Sequence, residues 1–247
     1  MARVLPLNSL HPSIALSLRN SNWSSIHASQ FPLLLKGLCR DWPAVSRWKD
    51  PGYWREKVGH HQVEVELGAG YTDPNIQKVY TSMSDLVDMM ETPRLSNASP
   101  PVYLAQYDVR DMPELKSDYR IPDLTRTGKA SIYKINLWLG FEDTFSPCHY
   151  DPYHNILCQI TGSKTVILYN PAYSKNLYPY QNDIRLKNTS QITDVLGDVD
   201  PKRFPLFEKC FGLKAVLQPG DAVYIPFKWW HYCRANSTNT SLNFWWL

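Results

Sequence analysis

In Ser146-Pro-Cys-His149-Tyr-Asp151-Pro-Tyr-His-Asn155, a histidine and an aspartate stand two apart at the end of a candidate strand. Alternate strand residues share a face, so both side chains can reach one ion. A second histidine, His231, lies far downstream in Phe227-Lys-Trp-Trp-His231-Tyr232. Two imidazoles and one carboxylate are the ligand set of the facial triad that holds Fe(II) and leaves coordination positions open. Each residue alone is ordinary. A histidine in an apolar strand is usually hydrogen-bonded in the core, and Asp151 before Pro152 suits a plain turn. Context raises the set above that: a strand and turn follow His149 and lead to Lys164, which opens the apolar run Thr165-Val-Ile-Leu-Tyr169.

Outward from this stretch, residues from about Ser131 read as short strands divided by turn residues. The runs are Ser131–Leu139, Asn155–Ile160, Lys164–Tyr169, Ala215–Gln218, Ala222–Ile225, His231–Ala235 and Ser241–Trp246. Thr161-Gly162-Ser163 suits a hairpin link and Gln218-Pro219-Gly220-Asp221 a turn. Such spacing predicts a mainly β sandwich or barrel. Asn182–Phe211 breaks the pattern as a polar insertion, with a helix expected around Arg203–Lys209. The first half is mixed. It offers a strand over Phe31–Gly37, a helix from Asp50-Pro51 to Val58, a strand over His61–Leu67 and a helix over Ser84–Glu91 capped by its serine. Arg126-Thr-Gly128-Lys129 marks the change of texture, giving parts 1–128 and 129–247. The helices of the first part have apolar faces that need the sheet, so one cooperative domain is expected.

With 247 residues, 43% of them hydrophobic and 20% charged, the chain has the makeup of a water-soluble globular protein. Net charge is only +3, and no Lys/Arg-rich run argues for nucleic acid. No stretch approaches membrane-span length, and the N-terminal residues lack a signal peptide's apolar run. The five cysteines are odd in number, scattered and free of Cys-x-x-Cys, which points to a reducing compartment, cytoplasmic or nuclear.

Further motifs join the triad: Asn136-Leu-Trp138-Leu-Gly140, Gly162-Ser-Lys164, Leu217-Gln-Pro-Gly220-Asp221, Ile225-Pro-Phe-Lys-Trp-Trp-His231 and Ser241-Leu-Asn-Phe-Trp-Trp246. With them the chain resembles the JmjC-domain Fe(II)/2-oxoglutarate oxygenases, and within that family the small protein (arginyl) hydroxylases. Tyr103-Leu-Ala-Gln106, Met112-Pro-Glu-Leu-Lys116, Asn188-Thr-Ser-Gln191 and Gly68-Ala-Gly-Tyr71-Thr-Asp73 carry the likeness through most of the chain. The resemblance implies a double-stranded β-helix, a cupin or jelly-roll core, with helices packed outside. It implies His149, Asp151 and His231 as Fe(II) ligands and Lys164 as the partner of the distal 2-oxoglutarate carboxylate. Tyr103 and Ser146 would complete that carboxylate site, with Asn155 near the metal-binding end of the cosubstrate. Trp138 and Trp245 or Trp246 would line the pocket, and Glu66 would face the substrate. The chain departs from those hydroxylases at Gly70-Tyr71, where they carry a basic residue before the tyrosine, and at Tyr153-His154, which fall beside the metal where they are polar.

The activity implied is an Fe(II)-, 2-oxoglutarate- and O2-dependent hydroxylation of a side chain, arginine or another, in a protein substrate. N-methyl-lysine (histone) demethylation can use the same site, because a hydroxylated N-methyl group falls off as formaldehyde. A non-catalytic cupin-type binding protein is the alternative of another class, and intact ligands with Lys164 argue against it. Oligomeric state is not legible in the sequence.

Overall fold

The computed structural model describes residues 2–7, 9–10, 23–68, 70–73, 75–91, 100–129 and 131–247. Ala69, within the quoted 68–73 motif, lies outside them. In chain order the first part contains β1 (Arg3–Pro6), β2 (Ser9–Leu10), α1 (Trp23–Ser29), β3 (Leu33–Leu35), α2 (Pro43–Arg47), α3 (Pro51–Val58), β4 (Gln62–Leu67), β5 (Gln77–Ser82), α4 (Met83–Glu91) and β6 (Val102–Asp108). The second part follows as β7 (Ile132–Gly140), β8 (Phe145–Tyr150), β9 (His154–Thr161), β10 (Lys164–Tyr169), β11 (Phe211–Leu217), β12 (Ala222–Ile225), β13 (Trp230–Ala235) and β14 (Asn239–Trp246).

The last eight strands divide into two facing antiparallel sets of four, β11-β10-β13-β8 and β12-β9-β14-β7. This is the double-stranded β-helix expected. β1 extends the first sheet, while β3 with β2 and β6-β4-β5 extend the second on either side. Residues of the first part are thus hydrogen-bonded into the same sheet as residues of the second, through β3–β12 and β6–β7.

Why these strands read as continuous apolar runs is plain from what covers them. On β10, Val166 and Leu168 pack between the sheets, while Ile167 and Tyr169 pack outward against Ile192, Phe204 and Phe207 of the β10–β11 connection. On β9, Leu157 points into the sandwich and Ile156, Cys158 and Ile160 point outward to the layer of Trp42, Trp48 and Trp54. Both faces of β9 and β10 are buried, so the usual polar alternation disappears there. The polar residues left on inward positions then stand out: His149, Asn155, Lys164 and His231 are all buried.

Several local expectations need correction. The connection leaves β10 at Asn170 rather than at residue 182, covers the outer sheet face as well as the rim, and ends before Phe211, which begins β11. Its expected helix shrinks to the single turn Phe207–Lys209, because Pro205 lacks the N–H needed to extend it and disfavours helix at Phe204. The strand over Phe31–Gly37 narrows to Leu33–Leu35. Ser82, not Ser84, caps α4, accepting from the Asp85 N–H at 3.0 Å. For α3 the cap is as read: Asp50 accepts from the Gly52 N–H at 2.9 Å and Pro51 opens the helix.

Candidate metal centre

His149 on β8 and His231 on β13 are directly paired across two neighbouring antiparallel strands, their ring centroids 4.3 Å apart. Asp151 follows the end of β8, its carbonyl accepting the Lys228 N–H at 3.1 Å from the β12–β13 turn. Lys228 holds a left-handed φ of 61° there, a conformation a non-glycine residue adopts at a cost of about 1–2 kcal/mol. The turn keeps Asp151 beside His231. The two imidazoles are fixed in the same way: Nδ1 of His149 lies 2.7 Å from the Pro147 carbonyl and Nδ1 of His231 lies 3.0 Å from the Trp229 carbonyl. A carbonyl only accepts, so each Nδ1 carries the proton and each Nε2 keeps a lone pair. Those Nε2 atoms sit 3.9 Å (His149) and 3.5 Å (His231) from the Asp151 carboxylate. All the donor atoms lie within 4.8 Å of one another.

Electrostatics agree with a site built for a cation. Burial and the neighbouring His231 push the His149 imidazole down to about 4, so it stays neutral and able to ligate. Burial opposes ionisation of Asp151, yet the imidazoles of His231 and His149 beside it outweigh it, and the carboxyl sits below its ordinary range. One of its oxygens, Oδ2, is buried without a hydrogen-bond donor among the described residues. An orphaned carboxylate oxygen facing two imidazole lone pairs is what a divalent ion would satisfy.

A cupin-like domain family matches residues 19–247. Jumonji C domain-containing protein 5 of Drosophila melanogaster is 37% identical over 87% of this chain and 54% of its own length. Lysine-specific demethylase JMJ30 of Arabidopsis thaliana is 34% identical over 87% and 49%, and lysine-specific demethylase 8 of Xenopus tropicalis 36% over 88% and 48%. The chain belongs to the cupin-like JmjC family. It spans about half the length of these relatives. JmjC enzymes use Fe(II) and 2-oxoglutarate, and this site fits both on its own chemistry. For the metal the fit is the orphaned Asp151 oxygen with its two imidazoles. For the cosubstrate it is Lys164, an ammonium only 3% exposed and paired with no carboxylate among the described residues. Its desolvation drives the pKa down to about 8. A dicarboxylate would relieve that cost.

Around this JmjC centre the remaining expected residues come from both sheets. Tyr103 on β6 packs its ring 5.7 Å from that of Trp138 on β7, and the Lys164 ammonium lies 5.8 Å from the Tyr103 centroid. Burial raises the Tyr103 phenol strongly, and the Ser146 hydroxyl hydrogen-bonded to it offsets part of the rise. Trp138 Nε1 donates to Asn243 Oδ1 at 2.6 Å, and Asn243 Nδ2 donates to Asn155 Oδ1 at 2.9 Å. Asn155 thereby keeps its NH2 as a donor. Trp245 lines the same cavity. Trp246 does not: the next residue on β14 points to the opposite face, against Tyr224 and His154, so the pair resolves in favour of Trp245. His154 likewise turns away from the triad. Its Nδ1 accepts from Tyr224 OH (2.9 Å), and its Nε2 lies 3.1 Å from His27 on α1. Tyr153 is sandwiched between Tyr133 and Trp245.

Adjoining this inner pocket at Tyr103, Trp138, Ser146, His149 and Asp151, an outer cavity of about 460 Å³ opens to Glu64, Glu66 and Lys78. Glu66 pairs in register with Tyr103, which places its carboxylate on the cavity wall. Burial raises its pKa, only partly countered by Lys78 at 3.9 Å, because Lys78 is bonded to Glu64 at 2.8 Å. The opposite wall holds residues that the sequence reading assigned no role. Tyr71 donates or accepts with Thr189 at 3.0 Å and sets its ring edge-on to His149, and the 188–190 segment pairs with the free edge of β8 through Asn188 and Ser190. Asn243 lay inside the quoted Ser241–Trp246 run but was given no role, because residue type alone does not say that it bonds Trp138 and Asn155.

Proposed function

We propose that this chain is an Fe(II)- and 2-oxoglutarate-dependent oxygenase that hydroxylates a side chain of a protein, arginine foremost. His149, Asp151 and His231 hold the metal. Lys164 pairs with the distal carboxylate of 2-oxoglutarate, Tyr103 and Ser146 add hydroxyls to it, and Asn155 donates near its metal-binding end. Fe(II) with 2-oxoglutarate and O2 supplies the power to oxidise an unactivated C–H bond. Trp138 and Trp245 form the apolar wall that keeps water out, and the strand-borne ligands fix where the target carbon must lie.

The observation that carries the choice of target is Glu66: a half-desolvated carboxylate on the wall of the triad cavity with no cation in hydrogen-bond reach among the described residues. A guanidinium matches a carboxylate with two parallel N–H donors, whereas an N-methylated ammonium is better served by an aromatic cage. N-methyl-lysine demethylation is the second reading, favoured by the names of the plant and frog relatives. Mass spectrometry of candidate protein substrates after incubation separates them. Gain of one oxygen on arginine supports hydroxylation, and loss of a methylene from methyl-lysine with formaldehyde release supports the demethylase. If anaerobic Fe(II) and 2-oxoglutarate raise no visible chelate band, only a non-catalytic cupin-type binding role remains.

Five buried free thiols, and the lack of any helix among the described residues long and apolar enough to cross a membrane, favour the cytoplasm or nucleus. The shared sheet across 1–128 and 129–247 favours one cooperative folding unit.

A further inference from the structure

Two groups of side chains among the described residues bring three metal-ligating atoms within 4.8 Å of one another, and only one of them is the triad. The other stands on the outside of the first part: His60 and His61 in the α3–β4 corner, and Glu114 in the turn Pro113–Leu115 that follows β6. We infer that His60, His61 and Glu114 form a second, surface site for a transition-metal ion of the zinc class.

The separations support this first. His61 Nε2 lies 3.3 Å from Glu114 Oε2, and His60 Nε2 lies 3.9 Å from Glu114 Oε1. A tetrahedral ion with bonds of about 2.1 Å sets its ligand atoms about 3.4 Å apart, so small side-chain rotations close the site around it. The ligand types point the same way. Two imidazoles and one carboxylate suit zinc, copper, nickel or cobalt and disfavour magnesium or calcium, which take oxygen donors.

The anchoring matters as much. His61 is held by its backbone on both sides: its N–H donates to Val58 O at 3.0 Å and its carbonyl accepts from Met83 N at 2.8 Å. Glu114 sits between Met112 and Leu115, both fully buried, so its backbone cannot drift. His60 is mostly exposed and closes from solvent, where water completes the coordination. A bound ion would staple the start of β4 to the turn after β6. Those are the strands that present Glu66 and Tyr103 to the cavity.

The test is isothermal titration of the metal-stripped full chain with Zn2+ alone. Wild type is expected to take two equivalents, one at the triad and one at the surface. Glu114→Gln and His61→Ala should each take one, with affinity at the lost site down at least about tenfold. Asp151→Ala should keep the surface equivalent, and Zn2+ should still raise its melting temperature, an effect absent when Glu114→Gln is added. Glu114 is partly exposed, so its amide variant folds even if a histidine variant does not. A wild type with one equivalent that Asp151→Ala removes overturns the surface site and leaves the triad standing. One equivalent that Glu114→Gln removes does the reverse. Two equivalents retained in Glu114→Gln also overturn it.

Discussion

The wall of the cavity that carries the triad and the wall that faces it are built by different means. His149 and His231 sit opposite each other on adjacent strands, each ring steered by a carbonyl two residues upstream, so backbone geometry alone aims both Nε2 atoms. Tyr103 and Glu66 come from strands of the first part and reach the site only because β6 joins β7 and β4 joins β6. Their surroundings are side chains: Trp138 against Tyr103, Lys78 near Glu66. The triad wall is therefore rigid and intolerant, while the facing wall can be retuned residue by residue.

Removing a ligand is the harshest way to break that contrast. Asp151→Ala or His231→Ala should lower 2-oxoglutarate turnover by about a thousandfold or more while circular dichroism stays native; near-normal turnover would refute the ligand set. Lys164→Met comes next and has two opposite effects. Loss of the charged hydrogen bond should weaken 2-oxoglutarate binding by roughly 30-fold or more. The cosubstrate-free protein should nevertheless melt higher, since a buried cation with pKa lowered to about 8 costs it about 3 kcal/mol below that pH. This penalty fades as pH rises from about 8 toward the unfolded value. In wild type the same titration predicts that 2-oxoglutarate affinity is flat below about pH 8 and falls above it, by at most about tenfold per pH unit. A Lys164→Met protein that binds 2-oxoglutarate normally would remove that residue from the site.

Glu66→Gln sharpens the contrast more gently. It should raise KM for an arginine-containing substrate by about tenfold and leave 2-oxoglutarate affinity alone; an unchanged KM would take Glu66 out of substrate binding. The smallest change is Gly140→Ala, where a Cβ would come within 2.7 Å of the Tyr103 ring and 2.6 Å of Thr144 Oγ1. The Tyr103 ring has to shift, and a few-fold loss of 2-oxoglutarate affinity should follow, read in the anaerobic chelate titration.

What could be read in advance follows the range of the forces involved. α3 was legible because Asp50 and Pro51 act on the next turn of chain, and β7 and β9–β14 because turn residues separate them, whereas of β8 only the end at His149 was read. β5 was not read, since it is an exposed strand without alternation, and β6 was not, since its bulge near Gln106 breaks the period. Trp245 and Trp246 were inseparable by type; only the pleat of β14 sends one to the cavity and the other to the core.

The sequence by itself brought forward the candidate chemistry: two histidines and an aspartate at a strand end suit a divalent metal, and the JmjC resemblance adds Lys164 as the expected partner of an anion. Tertiary structure alone decided what surrounds it. Which carboxylate lacks a partner, which asparagine steers Asn155, and that the β10–β11 connection buries a sheet face all depend on contacts between residues far apart in the chain. Burial of charge is a property of packing, and no local pattern encodes it.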